Sequence, residues 1–121
     1  MSKRILVVED HEENRRIMRD LLTSAGYEMI EAVTGEDGVA LAETQRPDLI
    51  LMDIQLPGLD GYEATRRIKA NPTLRAIPII AVTSYALSGD DVQAREAGCD
   101  AYVTKPFSPR ALLAKIREHL P

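Results

Sequence analysis

Short apolar runs alternate along this chain with longer stretches whose apolar residues recur at helical spacing. Ile5-Leu6-Val7-Val8, Leu49-Ile50-Leu51-Met52 and Ile79-Ile80-Ala81-Val82 are continuous hydrocarbon. Runs of that kind suit strands covered on both faces, because a strand with one wet face would alternate. Residues 27–32 and 101–103 predict two weaker strands. Over residues 12–24 the spacing places Ile17, Met18, Leu21 and Leu22 on one helical face, and Gly26 stops that helix. Thr34 caps a second helix running to about residue 44, with Val39, Ala40 and Leu41 turned inward and Gly38 lowering its propensity. Pro57-Gly58-Leu59-Asp60-Gly61 reads as a loop, followed by a helix over residues 62–70. Pro72 and Pro78 bound a connection. Ser88-Gly89-Asp90-Asp91 opens a helix that Gly98 ends, and Ser108-Pro109 caps and opens the last, which runs to His119.

Five strand–helix repeats predict an α/β fold, with a parallel sheet covered on both faces and right-handed crossovers. A chain of 121 residues fits one domain. No low-complexity tract or linker interrupts it.

The polar residues at the strand ends carry the chemistry. In an open parallel sheet, ligands bind beyond the carboxyl ends of the strands. The first strand runs out into Glu9-Asp10, the third into Asp53, the fourth into Thr83-Ser84 and the fifth into Thr104-Lys105-Pro106. All four endings are expected on one edge. Three carboxylates there repel one another, and a hard divalent cation such as Mg²⁺ is the natural compensation. With neither His nor Cys counted in the cluster, zinc and copper are disfavoured. A lysine and a hydroxyl on neighbouring strands supply donors for an anion, so the edge suits a metal and a phosphoryl group together. Taken singly, Asp10 could merely cap a helix, Asp53 begin a loop, and Lys105 sit in solvent. Their joint placement at strand exits is what argues for a site.

Composition narrows the partners. A net charge of −4 with no basic stripe, no Trp and one Phe argues against nucleic acid. Cys99 is the only cysteine, so neither an internal disulfide nor a multi-thiolate metal site can form. It is read as a small apolar residue near the core. No apolar stretch approaches membrane-spanning length, and the cytoplasm is the expected location.

Along its whole length the chain resembles the receiver domains of two-component response regulators. The resemblance rests on Ile5-Leu6-Val7-Val8-Glu9-Asp10, on Asp48-Leu49-Ile50-Leu51-Met52-Asp53-Ile54-Gln55-Leu56-Pro57-Gly58, on Ile79-Ile80-Ala81-Val82-Thr83 and on Tyr102-Val103-Thr104-Lys105-Pro106-Phe107. Closer in, Met52-Asp53-Ile54-Gln55-Leu56-Pro57 and Gly98-Cys99 look like single-domain regulators of the DivK and CheY kind. The resemblance implies a flavodoxin-like doubly wound sheet, order 2-1-3-4-5, with residues 1–121 as the receiver and no output domain. It implies Asp53 as phosphoacceptor. Asp10 and Asp53 would bind Mg²⁺ directly, Glu9 through water, and Gln55 through its backbone carbonyl. Thr83 and Lys105 would hold phosphoryl oxygens, and Tyr102 would be the aromatic switch. The Lys105-Pro106 peptide would be cis.

The expected donor is a phosphohistidine on a sensor kinase or phosphotransfer protein. His11, at the rim, and His119, at the end of the last helix, are read as ordinary exposed histidines. The moving parts would be residues 84–89 and the following helix. The output face would be that helix, the fifth strand and the fifth helix, as a monomer or weak dimer. Gln55 and Tyr85 would flank the attacking water and tune the phosphate's lifetime. The rival class is a small Mg²⁺-dependent aspartyl-phosphate phosphatase. It would want a second acid just after the nucleophile, where this chain has Gln55. A flavodoxin-like cofactor binder would want a glycine-rich loop after the first strand, and none is there.

Overall fold

The computed structural model describes residues 2–83, 90–105 and 108–120, apart from the side chains of Asp90 and Asp91. Its elements run β1 (Arg4–Val8), α1 (Glu12–Ser24), β2 (Glu28–Ala32), α2 (Gly35–Gln45), β3 (Leu49–Asp53), α3 (Gly61–Ala70), β4 (Ile79–Thr83), α4 (Asp90–Ala97), β5 (Ala101–Thr104) and α5 (Pro109–His119). The five strands form one parallel sheet in the order β2-β1-β3-β4-β5. The flavodoxin-like architecture expected from the sequence is therefore the one observed.

The hydrocarbon runs are buried as their composition requires. Every residue of β3 and β4 is buried, and so are four of the five in β1. Side chains alternate between the faces of a strand. Leu6, Val8, Ile50, Met52, Ile79 and Ala81 point to one side, where Ala42 of α2, Ala64 and Ile68 of α3 and Ala94 of α4 meet them. Ile5, Val7, Leu49, Leu51, Ile80 and Val82 point to the other, against Met18 and Leu22 of α1 and Leu112 and Ile116 of α5. Burying each of these larger side chains contributes roughly 1.5–3 kcal/mol, so the central strands are the least movable part of the molecule. Their carboxyl ends inherit that rigidity.

Two helix faces differ from the expectation. Ile17 is 54% exposed, whereas Met18 and Leu22 are buried and Leu21 is half-buried. At about 100° per residue, Ile17 lies outside the arc that the other three span. In α2 the inward residues are Gly35, Gly38 and Ala42, while Ala40 is exposed and Val39 and Leu41 are half-buried. The small residues let α2 lie close to the sheet: a Cβ on Gly38 would sit 2.8 Å from Val8 Cγ2. Gly38 is thus a close-contact residue rather than a simple loss of helix propensity. α3 starts at Gly61, one residue earlier than expected, with the Asp60 carboxylate accepting from the Glu63 N–H at 2.9 Å.

Arg46, at the end of α2, adopts φ 46, in the left-handed region that favours glycine. Among the described residues, its side chain makes no hydrogen bond or ion pair that would offset the strain. Arg46→Gly is expected to leave the midpoint of urea unfolding unchanged or raise it, by up to about 1 kcal/mol. A loss of 1 kcal/mol or more would show that the arginine side chain matters more than its backbone.

Candidate active site

The site is assembled at the carboxyl edge by backbone pairing. β1 ends at Val8, and the Glu9 N–H still donates to the Ala32 carbonyl at 3.0 Å, carrying Glu9 one step past the strand. Asp53 is the last residue of β3, and Ile54 extends the ladder by donating to the Val82 carbonyl at 3.1 Å. Thr83 closes β4, and its carbonyl accepts from the Lys105 N–H at 2.6 Å. These three bonds fix Glu9, Asp53, Thr83 and Lys105 on adjacent strand ends. The strand order puts β1, β3, β4 and β5 side by side, so the four chain-distant residues converge without any one loop having to bring them together.

Glu9 and Asp53 are almost fully withdrawn from water, at 0% and 3% exposure. The Lys105 ammonium lies 2.7 Å from Glu9 Oε1 and 3.5 Å from Asp53 Oδ2. It is the counter-charge for both acids, and one cation cannot neutralise two. Burial first, and then the negative charge of Glu9, push the Asp53 carboxyl up to about 7, against the opposing pull of Lys105 and the Gln55 N–H. Burial also acts to raise Glu9. There the Lys105 hydrogen bond, the His11 N–H and the lysine charge outweigh it and leave Glu9 below the usual carboxylate range. Of the two acids, Glu9 therefore keeps its charge and Asp53 is the one left in deficit.

The Gln55 N–H donates to Asp53 Oδ1 at 3.2 Å, and the Gln55 side chain is exposed between buried Ile54 and Leu56. That alternation anchors the loop on both sides of Gln55. Thr83 is buried at the end of β4, facing Thr104 in register. Tyr102 is half-buried and packs against the core cluster on the α2–α3–α4 side. Tyr85 and the Lys105-Pro106 peptide, for which roles were expected, lie outside the described residues.

Asp10 Oδ1 is shut off from solvent and has no hydrogen-bond partner among the described residues. It lies 3.1 Å from His11 Nδ1, at ion-pair distance but without hydrogen-bond geometry. An orphaned carboxylate oxygen costs free energy unless a cation takes it up. That oxygen, the deficit at Asp53 and the all-oxygen character of the expected ligands fit a hard divalent cation at this edge. The expected cluster had no histidine in it, yet Glu9, Asp10 and His11 each offer a ligand atom within 4.8 Å of the others. Asp53 stands outside that triplet and is tied to Glu9 and Lys105 instead.

The profile of the response regulator receiver domain matches residues 5–117. The chain belongs to the response regulator receiver family. As a receiver it is a signalling domain of two-component systems, not an enzyme of the ordinary kind. It is 45% identical to the polar-differentiation response regulator DivK of Brucella anthropi over 120 residues, covering 99% of this chain and 98% of that one. Among solved structures, a receiver domain of a sensor histidine kinase from Pseudomonas aeruginosa superposes with a TM-score of 0.91 at 42% identity, covering 98% and 97% of the two chains. That domain holds magnesium in its active-site cleft. A response regulator from Chloroflexus aurantiacus gives a TM-score of 0.95 at 29% identity, covering 99% and 98%.

Two side-chain clamps in this receiver, one at each end of the sheet, have no counterpart in the sequence reading. Arg15, from the second turn of α1, donates to the Glu9 carbonyl at 2.9 Å and pairs with Glu12 and Glu31. It clamps the exit of β1 to α1 and β2. At the opposite end of the sheet, Lys69 donates to the Ile77 carbonyl at 2.8 Å and to Asp100 at 3.0 Å, and Asp100 also accepts from the Ile79 N–H. This clamp joins α3 to the starts of β4 and β5. Cys99 is buried and its Sγ donates to Thr65 Oγ1 at 3.8 Å, with burial pushing the thiol pKa up. It is a packing residue, as expected. Among the described residues, no helix is long and apolar enough to cross a membrane.

Proposed function

We propose that this receiver accepts a phosphoryl group on Asp53, from a phosphohistidine of a sensor kinase or phosphotransfer protein, in the cytoplasm. The observation that carries this reading is the withdrawn Asp53 carboxyl. It is held between Glu9 and Lys105 at a strand exit, beside an orphaned Asp10 oxygen. Asp10, Asp53 and the Gln55 carbonyl would hold Mg²⁺, with Glu9 acting through water. When bound, the ion supplies positive charge that offsets the repulsion between a carboxylate and an incoming phosphate. The protein's own groups do the rest. Lys105 would turn from Glu9 and Asp53 to a phosphoryl oxygen, and the Thr83 hydroxyl would donate to another.

Hydrogen bonds to charged groups contribute about 1.5–3 kcal/mol each, so two of them shift a two-state equilibrium by roughly two to four decades. The element they bias would be the chain after β4, with α4, β5 and α5 as the surface that changes for a partner. Tyr102, on β5 and packed toward the core, would be the aromatic reporter of that change. Gln55 and Tyr85 would set the lifetime of the acyl phosphate. Residues 1–121 would act as the receiver.

Incubation with acetyl phosphate and Mg²⁺, followed by intact mass, tests this reading. One added phosphoryl group is expected, dependent on Mg²⁺ and absent from Asp53→Ala. No addition at any donor concentration would overturn it.

A further inference from the structure

Asp10 depends on its backbone for its aim. No hydrogen bond to its solvent-excluded Oδ1 holds the carboxylate in place among the described residues. The backbone that carries it is short: Glu9, Asp10 and His11 alone join the end of β1 at Val8 to the start of α1 at Glu12. One residue holds both sides of that connection. The Arg15 guanidinium donates through Nη1 to the Glu9 carbonyl at 2.9 Å, and the Arg15 N–H donates to the His11 carbonyl at 3.0 Å. The Glu9 N–H is tied to β2 through the Ala32 carbonyl.

The guanidinium is itself fixed. Its Nη2 pairs with Glu12 of α1, its Nε lies 3.4 Å from Glu31 of β2, and the side chain is only 12% exposed. A planar fork of five N–H donors can serve three acceptors at once, which an ammonium cannot do in the same geometry. Arg19 provides the contrast. It pairs with the same two glutamates, donating to Glu31 through Nε at 3.0 Å and lying 3.9 Å from Glu12. Among the described residues it makes no bond to the β1–α1 connection.

We propose that Arg15 is a positioning residue for the cation site: by fixing the Glu9 carbonyl it aims Asp10 into the cleft and so sets the affinity for Mg²⁺. This rests on the reading of the edge as a Mg²⁺ site. Electrostatics alone gives the opposite sign. A guanidinium near the site repels an incoming cation, so deleting its charge would tighten binding. Weaker binding by a folded variant therefore reports lost geometry rather than lost charge.

The test titrates Mg²⁺ by calorimetry into the unaltered chain, Arg15→Met and Arg19→Met. Methionine keeps an apolar stem and a high helix propensity, so α1 is retained. Arg15→Met is expected to bind Mg²⁺ about tenfold more weakly, with Arg19→Met within about twofold of the unaltered chain. Amide exchange in the metal-free proteins gives a second reading. The Glu9 N–H should exchange at least about fivefold faster in Arg15→Met, measured against the Ile50 N–H of buried β3 in the same protein so that global opening cancels.

An Mg²⁺ affinity in Arg15→Met equal to or above that of the unaltered chain would overturn the proposal and leave the cation site standing. An unchanged relative exchange rate at Glu9 would overturn it too. So would equal weakening in both variants, which would make the shared ion pairs responsible rather than the bond to Glu9. Failure of the unaltered chain to bind Mg²⁺ would overturn the cation reading and this proposal with it.

Discussion

Asp53→Asn is expected to melt well above the unaltered chain at pH 7.5 without added metal. The native Asp53 carboxyl titrates at about 7, above the ordinary 3.8, because it is buried beside Glu9. The sign follows from proton binding. Between those two values the native state holds a proton that the unfolded chain has released, so stability falls as pH rises through the window. Above it the native state carries a buried charge that Lys105 cannot fully offset. Removing that charge should recover on the order of 2–4 kcal/mol, or roughly 5–15 °C for a chain of this size.

At pH 4.5 the gain should shrink to about a third or less, since most of the window has not yet been crossed. Glu9 shifts the other way and contributes stability that is lost in acid, but it does so in both proteins. Saturating Mg²⁺ should raise the melting temperature of the unaltered chain and narrow the gap, because only that chain has the full set of charges to bind it. Melts at the two pH values, with and without Mg²⁺, check all of this. A gap of the same size at both pH values would show that the asparagine acts through packing rather than charge.

The second large effect is expected at Gly61. It opens α3 directly under the exit of β3, and its N–H donates to the Ile54 carbonyl at 3.0 Å. A Cβ there would overlap the Asp53 carbonyl oxygen and come within 2.7 Å of Ile54 Cα. Both are backbone atoms pinned by the β3–β4 ladder, so no side chain can swing aside. Gly61→Ala should cost about 3 kcal/mol, at the upper end of overpacking changes. It should also displace Asp53. The comparison that isolates the effect is Gly26→Ala, where a Cβ meets nothing within 4 Å and only the positive φ of 89 is strained. That change should cost about 1–2 kcal/mol and leave the site alone. Denaturant unfolding of the two variants gives both numbers. A Gly61→Ala loss no greater than that of Gly26→Ala would mean α3 can lift from the sheet freely.

Much of this was legible beforehand, for identifiable reasons. The central strands announce themselves because burial on both faces leaves no polar position to confuse the pattern. The acids announce themselves because each ends such a run, and the lysine because it ends the weaker fifth strand beside them. Helix faces were harder to read. Ile17 is apolar yet exposed, and Ala40 is apolar yet faces outward. Alanine and glycine stripes carry almost no hydrophobic signal, so the close approach of α2 to Val8 had to be seen in space. Long polar side chains were harder still. Lys69 reaches Asp100 across 31 positions, and no periodicity encodes that. Arg15 left a faint trace, a basic residue three places after Glu12, but its bond to the Glu9 carbonyl depends on how β1 meets α1. His11 is exposed at the rim, as read, but sequence adjacency to Asp10 does not reveal where the ring turns. Only its distances to two carboxylates bring it into the cluster.

The central claim is that Asp53, and no other acid at this edge, is the group that carries phosphate. Glu9 and Asp10 are close enough to compete for the assignment, so the position of the label decides. After treatment with acetyl phosphate and Mg²⁺, borohydride reduction converts an acyl-phosphorylated aspartate to homoserine, which peptide mass spectrometry locates. The account predicts homoserine at position 53 alone. Reduction at Glu9 or Asp10, or a labelled chain with Asp53 intact, would contradict it.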